Sequence, residues 1–478
     1  MAAPRMDALQ RLNFVTGSVS KSAGSDPTTR PKGLVMPTEH VETLIVGGGQ
    51  AGLTMSHMLS RRGRPHLVLE RGRMAERWRS ERWHGLRFQF PNWSVSLPQF
   101  PFRHSDPDGF ATSEEIVAYL EAYARVVKPA VRCGVSVTRL RRDDAGKGFV
   151  AETSMDSIFG DSINFVDSEL MDSKSMGAKS AGAKSTGSIF ASTVVIATGP
   201  YQRPVIPELV EDVDHLFQVH ASAYKRPEQL PAGAVLVVGS GASGAQIAEE
   251  LLRSGRRVYL SVGRHKRMPR RYRGRDLIWW LEEMGLDQTP VEKRGADATL
   301  PLITGAYGGH TVDFRSYAQQ GITLLGRLEA GRGRTLKFAA DLGEALACGD
   351  AAYDAFLDSV DAFIERHKMR LAVEPAARKV RPEPPCVAMP LRQLDIRDAG
   401  LSSVIWATGY AYDFGWIDLP VLDARGRPRH EKGIAHVPGL YFLGLPWLSK
   451  MNSSFLSGVG DDADRLADHI QAATQTPP

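Results

Sequence analysis

The feature that most constrains this chain is a strand–glycine–helix–strand unit that occurs twice. The first copy spans residues 41–70, VETLIVGGGQAGLTMSHMLSRRGRPHLVLE. Its opening apolar run, 41–46, suits a buried parallel strand. Gly47, Gly49 and Gly52 then form G-x-G-x-x-G, with Gln50 and Ala51 between them, and a helix is predicted over 51–60. A second strand, 66–69, ends at Glu70, 18 residues past Gly52, the place from which a carboxylate reaches a ribose hydroxyl. The glycines have separate tasks: a tight turn, backbone approach to a pyrophosphate, and close helix-to-strand packing. The pyrophosphate of a dinucleotide then sits on the free N–H groups of the helix N-terminus. A glycine-rich turn alone can be purely structural. Strand, helix, second strand and acid in this order point to a dinucleotide site.

The second copy spans 235–262, VLVVGSGASGAQIAEELLRSGRRVYLSV. Gly239, Gly241 and Gly244 repeat the fingerprint, with Ser240 and Ser243 inside it, and a helix is predicted over 245–253 before a strand at 257–262. No acid ends this strand. Arg264 stands 20 residues past Gly244, with Lys266 and Arg267 behind it. A cation there accommodates a 2′-phosphate, so NADP is indicated rather than NAD. The run 264–275 has seven Lys or Arg in twelve residues. It could serve nucleic acid, a solvated face or the 2′-phosphate; its place directly after a Rossmann strand favours the last, and no nucleic-acid partner is expected.

Two further strands end in the same small-residue turn: STVVIATG at 192–199, followed by Pro200, and VIWATGY at 404–410. Thr198, Gly199, Ala407, Thr408, Gly409 and Tyr410 are therefore candidate cofactor contacts, since small residues let the backbone approach a ligand. Near the C-terminus GLYFLG ends at Gly444, and a helix from about residue 462 offers another N-terminus aimed at a cofactor. Between the first unit and a helix predicted over 113–127, N-capped by Thr112 or Ser113, lies RGRMAERWRSERWHGLRFQFPNWSVSLPQFPF. Pro91, Pro98 and Pro101 break regular structure there, so it reads as a long aromatic loop placed to cover a flat ring system. Arg71, Trp78 and Arg79 join the candidate cofactor contacts.

The predicted fold is α/β, with two Rossmann-type dinucleotide-binding domains, the second inserted into the first. The expected limits are a disordered tail over 1–40, a first domain over 41–205 and 395–478, and an inserted domain over 206–394. A low-complexity stretch at 153–190, with MGAKS and AGAKS repeats, reads as a surface insertion between strands, mostly disordered from about 170 to 187. Helices are expected near 276–285 and 341–370, and RPEPP at 381–385 reads as a linker back to the first domain. Cys133, Cys348 and Cys386 are far apart, with no C-x-x-C, which argues against a disulfide framework, a cysteine zinc site and a neighbouring-dithiol redox centre. The thirteen histidines have no metal spacing, and no run of about 18 apolar residues suggests a membrane span. A cytoplasmic setting fits, and the net charge of +5 is modest for 478 residues.

GGGQAG, the RWRSERWHGLRFQFPNW loop, the two ATG strands, GSGASG and GLYFLG together resemble the class B flavin monooxygenases. More narrowly, the chain is similar to the flavin-containing monooxygenase and YUCCA-like bacterial flavoproteins called CzcO-like. The family signature F-x-G-x-x-x-H-x-x-x-[YW] is met by His220 and Tyr224, while Asp214 and Leu216 stand where Phe and Gly belong. The resemblance implies FAD at the first fingerprint and NADPH at the second. It implies activation of dioxygen as a flavin C4a-hydroperoxide and transfer of one oxygen to nitrogen, sulfur or a ketone carbon of a small molecule. It also implies an amide near flavin N5, for which Gln89 and Asn92 are the candidates, a loop-stabilising amide being the other reading of either. No general acid or base is assigned. Alternatives are an NADPH-dependent reductase of another acceptor and a non-catalytic redox sensor. The chain could also act as a homodimer.

Overall fold

Both glycine units sit at the centre of a parallel sheet, which suits the buried apolar residues 44–46 of the first strand and 234–238 of the second. The computed structural model describes residues 39–155, 185–211, 216–295, 300–379 and 381–475. In the first domain β1 (Glu39–Val46) leads through α1 (Gln50–Arg61) to β2 (His66–Glu70), followed by α2 (Ser113–Val127), β3 (Val131–Cys133), β4 (Val135–Arg142), β5 (Phe149–Met155) and β6 (Ser185–Ile196). The second domain contains β7 (Phe217–His220), β8 (Ala234–Val238), α3 (Ala242–Arg253), β9 (Val258–Ser261), β10 (Thr323–Leu325), the long α4 (Leu342–Arg366) and β11 (Leu401–Trp406). The chain then returns to the first sheet with β12 (Leu440–Phe442) and ends in α5 (Val459–Gln475).

The parallel core of the first sheet runs β12–β6–β1–β2–β3, and the second runs β7–β11–β8–β9–β10. Register sets the site. Val46 pairs with both Leu69 and Ile196, so the first glycine turn, Glu70 and the first ATG turn leave the sheet at one edge. Val238 pairs likewise with Ser261 and Trp406, which brings the second glycine turn, the residues before Arg264 and the second ATG turn together. Such an edge, outside the carboxyl ends of parallel strands, is where open α/β sheets bind ligands. The strands are held by fully buried Leu44, Ile45, Val194, Val195 and Leu440 in one core and Val235, Leu236, Leu260 and Val404 in the other. Helix α1 packs against α5, which returns the C-terminus to the first fingerprint.

Helix α2 begins where its sequence says. Thr112 accepts from the Glu115 N–H at 3.1 Å, and the Glu115 carboxylate accepts from the Thr112 N–H at 2.8 Å, a complete capping box. Thr112→Ala is expected to cost about 1 kcal/mol of stability, read as a lower urea midpoint with an unchanged absorbance spectrum.

Three expectations are corrected, two by strand pairing and one by ion pairs. Strand β11 and its ATGY turn, placed by the 394/395 boundary in the first domain, lie in the second sheet between β7 and β8. The crossing back occurs instead where Tyr410–Ala411 pairs antiparallel with Arg203–Pro204, so the two connections between the domains run side by side. The RPEPP segment is not a linker, since Glu383 pairs with Arg315 at 2.6 Å and Arg381 with Asp313 at 3.2 Å, both in the second domain. Residues 185–187, included in the disordered stretch, belong to β6 and pair with β5. The N-terminal tail to residue 38, the insertion from 156 to 184 and Asp214 lie outside the described residues. Among the described residues no helix is long and apolar enough to cross a membrane, and no cluster of metal-ligating side chains occurs.

Candidate functional site

The two glycine turns have the same internal construction. A Cβ on Gly47, whose φ is +114°, would meet the Ala197 carbonyl oxygen at 2.6 Å, and one on Gly239, at φ +103°, would meet the Ala407 oxygen at 2.5 Å. Each fingerprint is thus seated on its own ATG turn: residues 197–199 belong with the first, 407–409 with the second. A Cβ on Gly52 would lie 1.8 Å from the Gly47 oxygen, and one on Gly244 would lie 1.9 Å from the Gly239 oxygen. These four glycines are explained by the protein's own packing.

Gly49 and Gly241 are not. Their backbones are ordinary, φ −86°, ψ −169° and φ −70°, ψ −177°, conformations open to any residue. A Cβ at either position would have nothing within 4 Å. Neither strain nor packing requires glycine there. Both are N-caps without a side-chain cap, so the first-turn N–H groups of α1 and α3 face open space. A cradle that only an approaching ligand would fill, at an uncapped helix N-terminus, fits a pyrophosphate twice over.

The ribose positions differ as the residues require. The Glu70 carboxylate is held by the Gly48 N–H at 2.7 Å on one oxygen and the Gly72 N–H at 2.8 Å on the other. It is fixed at the rim of the first turn with lone pairs left for hydroxyl donors. In the second unit Ser240 Oγ takes the corresponding place and accepts from the Gly263 N–H at 3.0 Å. Arg264 follows, exposed, with Nη2 3.9 Å from Cys348 Sγ, and Lys266 is half-buried beside it. Further along the run, Arg267 pairs with Asp313 and Asp350 at 3.0 Å each, Arg270 with Asp276 at 2.6 Å and Arg273 with Asp361 at 2.6 Å, Arg271 donates to the Gly309 carbonyl at 3.0 Å, and Arg275 lies 5.0 Å from the Trp279 ring.

Around these turns the other candidates separate. Gly444, at φ +76°, brings β12 against α1, since a Cβ there would lie 2.7 Å from that of Ala51. The Gln50 amide donates to the Ser454 carbonyl at 2.8 Å, so the C-terminal loop covers the first helix start. Thr198 Oγ1 and the Gly199 carbonyl both accept from the Gln202 amide, at 2.9 and 2.8 Å, and Thr408 Oγ1 donates to the Val205 carbonyl. Ser243 is exposed in the first turn of α3 and Arg71 is exposed beyond Glu70. Arg79 is turned to α2, where it pairs with Glu121, and donates to the Met74 carbonyl at 3.0 Å; its guanidinium builds the loop. Trp78 packs edge-on to Phe88 at 5.6 Å, Phe88 lies 5.3 Å from Phe90, and Phe90 lies 4.9 Å from Phe455, a continuous aromatic wall.

Gln89 lies in that wall. Its carboxamide has no hydrogen-bond partner among the described residues, while its backbone carbonyl is held by Arg270 Nη1 at 2.8 Å. Asn92 is 1% exposed and divides its amide: Nδ2 donates to the Asp106 carbonyl at 2.9 Å, and Oδ1 is buried without a partner among the described residues. Nδ2 serves the loop; Oδ1 is an acceptor awaiting a donor.

Arg270 and Arg82, which sequence reasoning did not single out, and His220, which it met only in the family signature, hold these loops together. Arg270, 2% exposed, reaches from the second domain to Gln89 and to the Thr304 carbonyl, stacked 4.8 Å from the Phe110 ring. It was hidden inside the basic run. His220 is kept neutral by burial; Nδ1 accepts from the Ser222 N–H at 3.1 Å and Nε2 faces the Gly409 carbonyl at 3.0 Å, which fixes the second ATG turn. Arg82 lies 5.1 Å from the Trp78 ring and 5.9 Å from that of Tyr201.

Comparison with known proteins bears on this geometry. Residues 183–281 match the family model described as pyridine nucleotide-disulphide oxidoreductase. An uncharacterized CzcO-like oxidoreductase of Geobacillus kaustophilus is 31% identical over 435 residues, covering 90% of this chain and 98% of the relative. A probable indole-3-pyruvate monooxygenase of Arabidopsis thaliana, YUCCA1, is 29% identical over 222 residues, 46% of each chain. The fold is shared with a flavin-containing monooxygenase from Stenotrophomonas maltophilia, at a TM-score of 0.58 and 16% identity over 91% of this chain and all of that one.

Proposed function

Because this chain belongs to the CzcO-like oxidoreductases of the flavin monooxygenase superfamily, we propose that it is an NADPH-dependent FAD monooxygenase that transfers one atom of dioxygen to a small organic substrate. The observation that carries the reading is the pair of glycine cradles, open only at Gly49 and Gly241, with Glu70 beside one and Arg264 beside the other. A carboxylate suits the unphosphorylated ribose of FAD, and a guanidinium suits the 2′-phosphate of NADPH.

FAD supplies the redox and oxygen chemistry when bound; the protein supplies binding, orientation and exclusion of water. Gly49, Ala51 and Gly52 would hold the FAD pyrophosphate by backbone N–H groups, and Glu70 the ribose. Gly241 and Gly244 would hold the NADPH pyrophosphate. The wall from Trp78 to Phe455 would keep water from the reacting face. The Gln89 carboxamide, unspent inside the protein, would hydrogen-bond the flavin edge or the nicotinamide amide, with Asn92 Oδ1 as a second acceptor.

A monooxygenase and a reductase of another acceptor separate under anaerobic conditions. The expected result is that NADPH bleaches the flavin once and turnover then stops until oxygen is admitted. Continued NADPH oxidation without oxygen, on any acceptor, would favour the reductase. Slow NADPH oxidation that no candidate substrate accelerates would favour the sensor.

Gln89→Ala should leave FAD bound and its reduction by NADPH largely intact, since Arg270 holds that residue by the backbone carbonyl, which the substitution keeps. Peroxide released per NADPH should rise at the expense of product. An unchanged peroxide yield with normal turnover would remove Gln89 from the site.

A further inference from the structure

We propose that helix α4 is a template for the segment after β9, its residues Cys348, Gly349 and Asp350 seating that segment so that Arg264 is aimed at the 2′-phosphate. His265 and Gly349 are then positioning residues for coenzyme selection. This rests on the reading of the second glycine turn as an NADPH site and adds to it how the arginine is held.

Three consecutive residues of α4 meet three residues of the basic run. Arg264 Nη2 lies 3.9 Å from Cys348 Sγ, the His265 ring lies against Gly349, and Arg267 pairs with Asp350 at 3.0 Å. Gly349 is the informative member. It is buried in the interior of a 25-residue helix, where glycine is disfavoured against alanine, and no left-handed backbone calls for it. A Cβ there would lie 2.5 Å from His265 Nε2 and 3.1 and 3.2 Å from two ring carbons. Glycine at this one position makes room for one imidazole.

That imidazole is fixed on its other sides. It is buried, and its ring stands edge-on to Phe314 at 4.8 Å. Burial pulls its pKa down and keeps it neutral. The Gly263 carbonyl, 3.0 Å from Nδ1, can only accept, so Nδ1 carries the proton and Nε2 faces the helix bare. The Gly263 N–H in turn donates to Ser240 Oγ at 3.0 Å, inside the second glycine fingerprint, and the Lys266 carbonyl accepts from the Leu302 N–H at 2.8 Å. Arg264 is thus bracketed. The backbone is tied at 263 and 266, His265 fills the seat on α4, and the exposed guanidinium comes to lie beside Cys348. A thiol is a weak acceptor that guides a guanidinium without neutralising it. A carboxylate at 348 would pair with Arg264 and take the cation from the 2′-phosphate.

The test reads the 2′-phosphate alone, by calorimetric titration of FAD-loaded protein with adenosine 2′,5′-bisphosphate and with AMP, so that no turnover enters. The parent should bind the bisphosphate about tenfold to a hundredfold tighter, the worth of a charge-assisted contact. Arg264→Ala should erase that difference. Gly349→Ala should shrink it by about tenfold, because the new methyl group displaces the His265 ring and loosens the charge-assisted contact. In a His265→Ala background the same Gly349→Ala change should have no further effect on the preference and should raise the thermal melt, since alanine is then simply the better helix residue. Cys348→Asp should erase the preference without touching the His265 seat, which keeps the idea testable if Gly349→Ala does not fold. A preference that Arg264→Ala loses but a folded Gly349→Ala or Cys348→Asp protein keeps overturns the template and leaves the NADPH reading standing. An equal effect of Gly349→Ala with and without the His265 ring also overturns it. A parent that binds both nucleotides alike sinks the NADPH reading, and the template with it.

Discussion

Gly49→Val is expected to purify folded and colourless. The valine Cβ meets no protein atom within 4 Å, and the backbone at 49 is extended, so the polypeptide alone has no reason to reject it. Its methyl groups occupy the space in front of the uncapped first turn of α1, where the FAD pyrophosphate would accept N–H donors. Charge-assisted hydrogen bonds of this kind are worth roughly 1.5 to 3 kcal/mol each. Losing even two of them lowers FAD affinity by more than about a hundredfold. The readout is the ratio of flavin to protein absorbance after purification, with circular dichroism to show that the fold persists. A yellow, fully loaded Gly49→Val protein would sink the assignment of this turn to FAD. Gly52→Val cannot serve as the same test. Its side chain would drive into the Gly47 carbonyl oxygen, 1.8 Å from the Cβ, so loss of colour there would report a broken turn. Gly241→Val is the matched control: yellow, folded, and reduced by NADPH only at much higher concentration.

Most of the architecture was legible because its signals are local. The apolar strands, the glycine spacing, the capping box at Thr112 and the contrast of Glu70 with Arg264 each sit within a few residues or one unit. What failed was non-local. VIWATGY repeats STVVIATG so closely that it was given to the first domain, yet β11 hydrogen-bonds to β7 and β8; nothing in a parallel strand's own sequence names its neighbours. RPEPP has a linker's composition, but Glu383 and Arg381 are bound by ion pairs to Arg315 and Asp313. The partner of Arg79, Glu121, is on a helix 42 residues away, which the loop's own sequence does not announce. In the candidate site, the glycines that shape the turn and those that only a ligand explains look identical in sequence. They separate once each missing Cβ is given a position. The aromatic loop was readable as a cover. That Arg270 would reach across to hold Gln89 was not, because a run of like charges conceals which members are buried.

Arg264→Ala is expected to cost NADPH about one to two decades in half-saturation, with NADH almost unchanged. The run from 264 to 275 supplies its own controls. Arg267 lies between Asp313 and Asp350 and 4.2 Å from the Tyr353 ring, so its removal takes one of two cations from each acid, Asp313 keeping Arg381 and Asp350 keeping Arg315. Arg267→Ala should therefore lower the melt, a loss that would weaken both coenzymes through the fold. Arg264 is exposed at the end of β9, held in place by the bond between Ser240 and Gly263, and the contact its guanidinium makes with Cys348 Sγ is a weak one at 3.9 Å. A guanidinium bonded to a 2′-phosphate contributes roughly 1.5 to 3 kcal/mol, which is the expected one to two decades, and NADH has no group to lose. Lys266→Ala should show the same selectivity at smaller size, since its side chain is farther along the run and half-buried. The measurement is the rate of flavin reduction against coenzyme concentration, for both coenzymes, beside a thermal melt of each variant. An equal loss for NADPH and NADH in Arg264→Ala, with an unchanged melt, would show that this arginine recognises something common to both coenzymes, and the 2′-phosphate would have to be sought elsewhere.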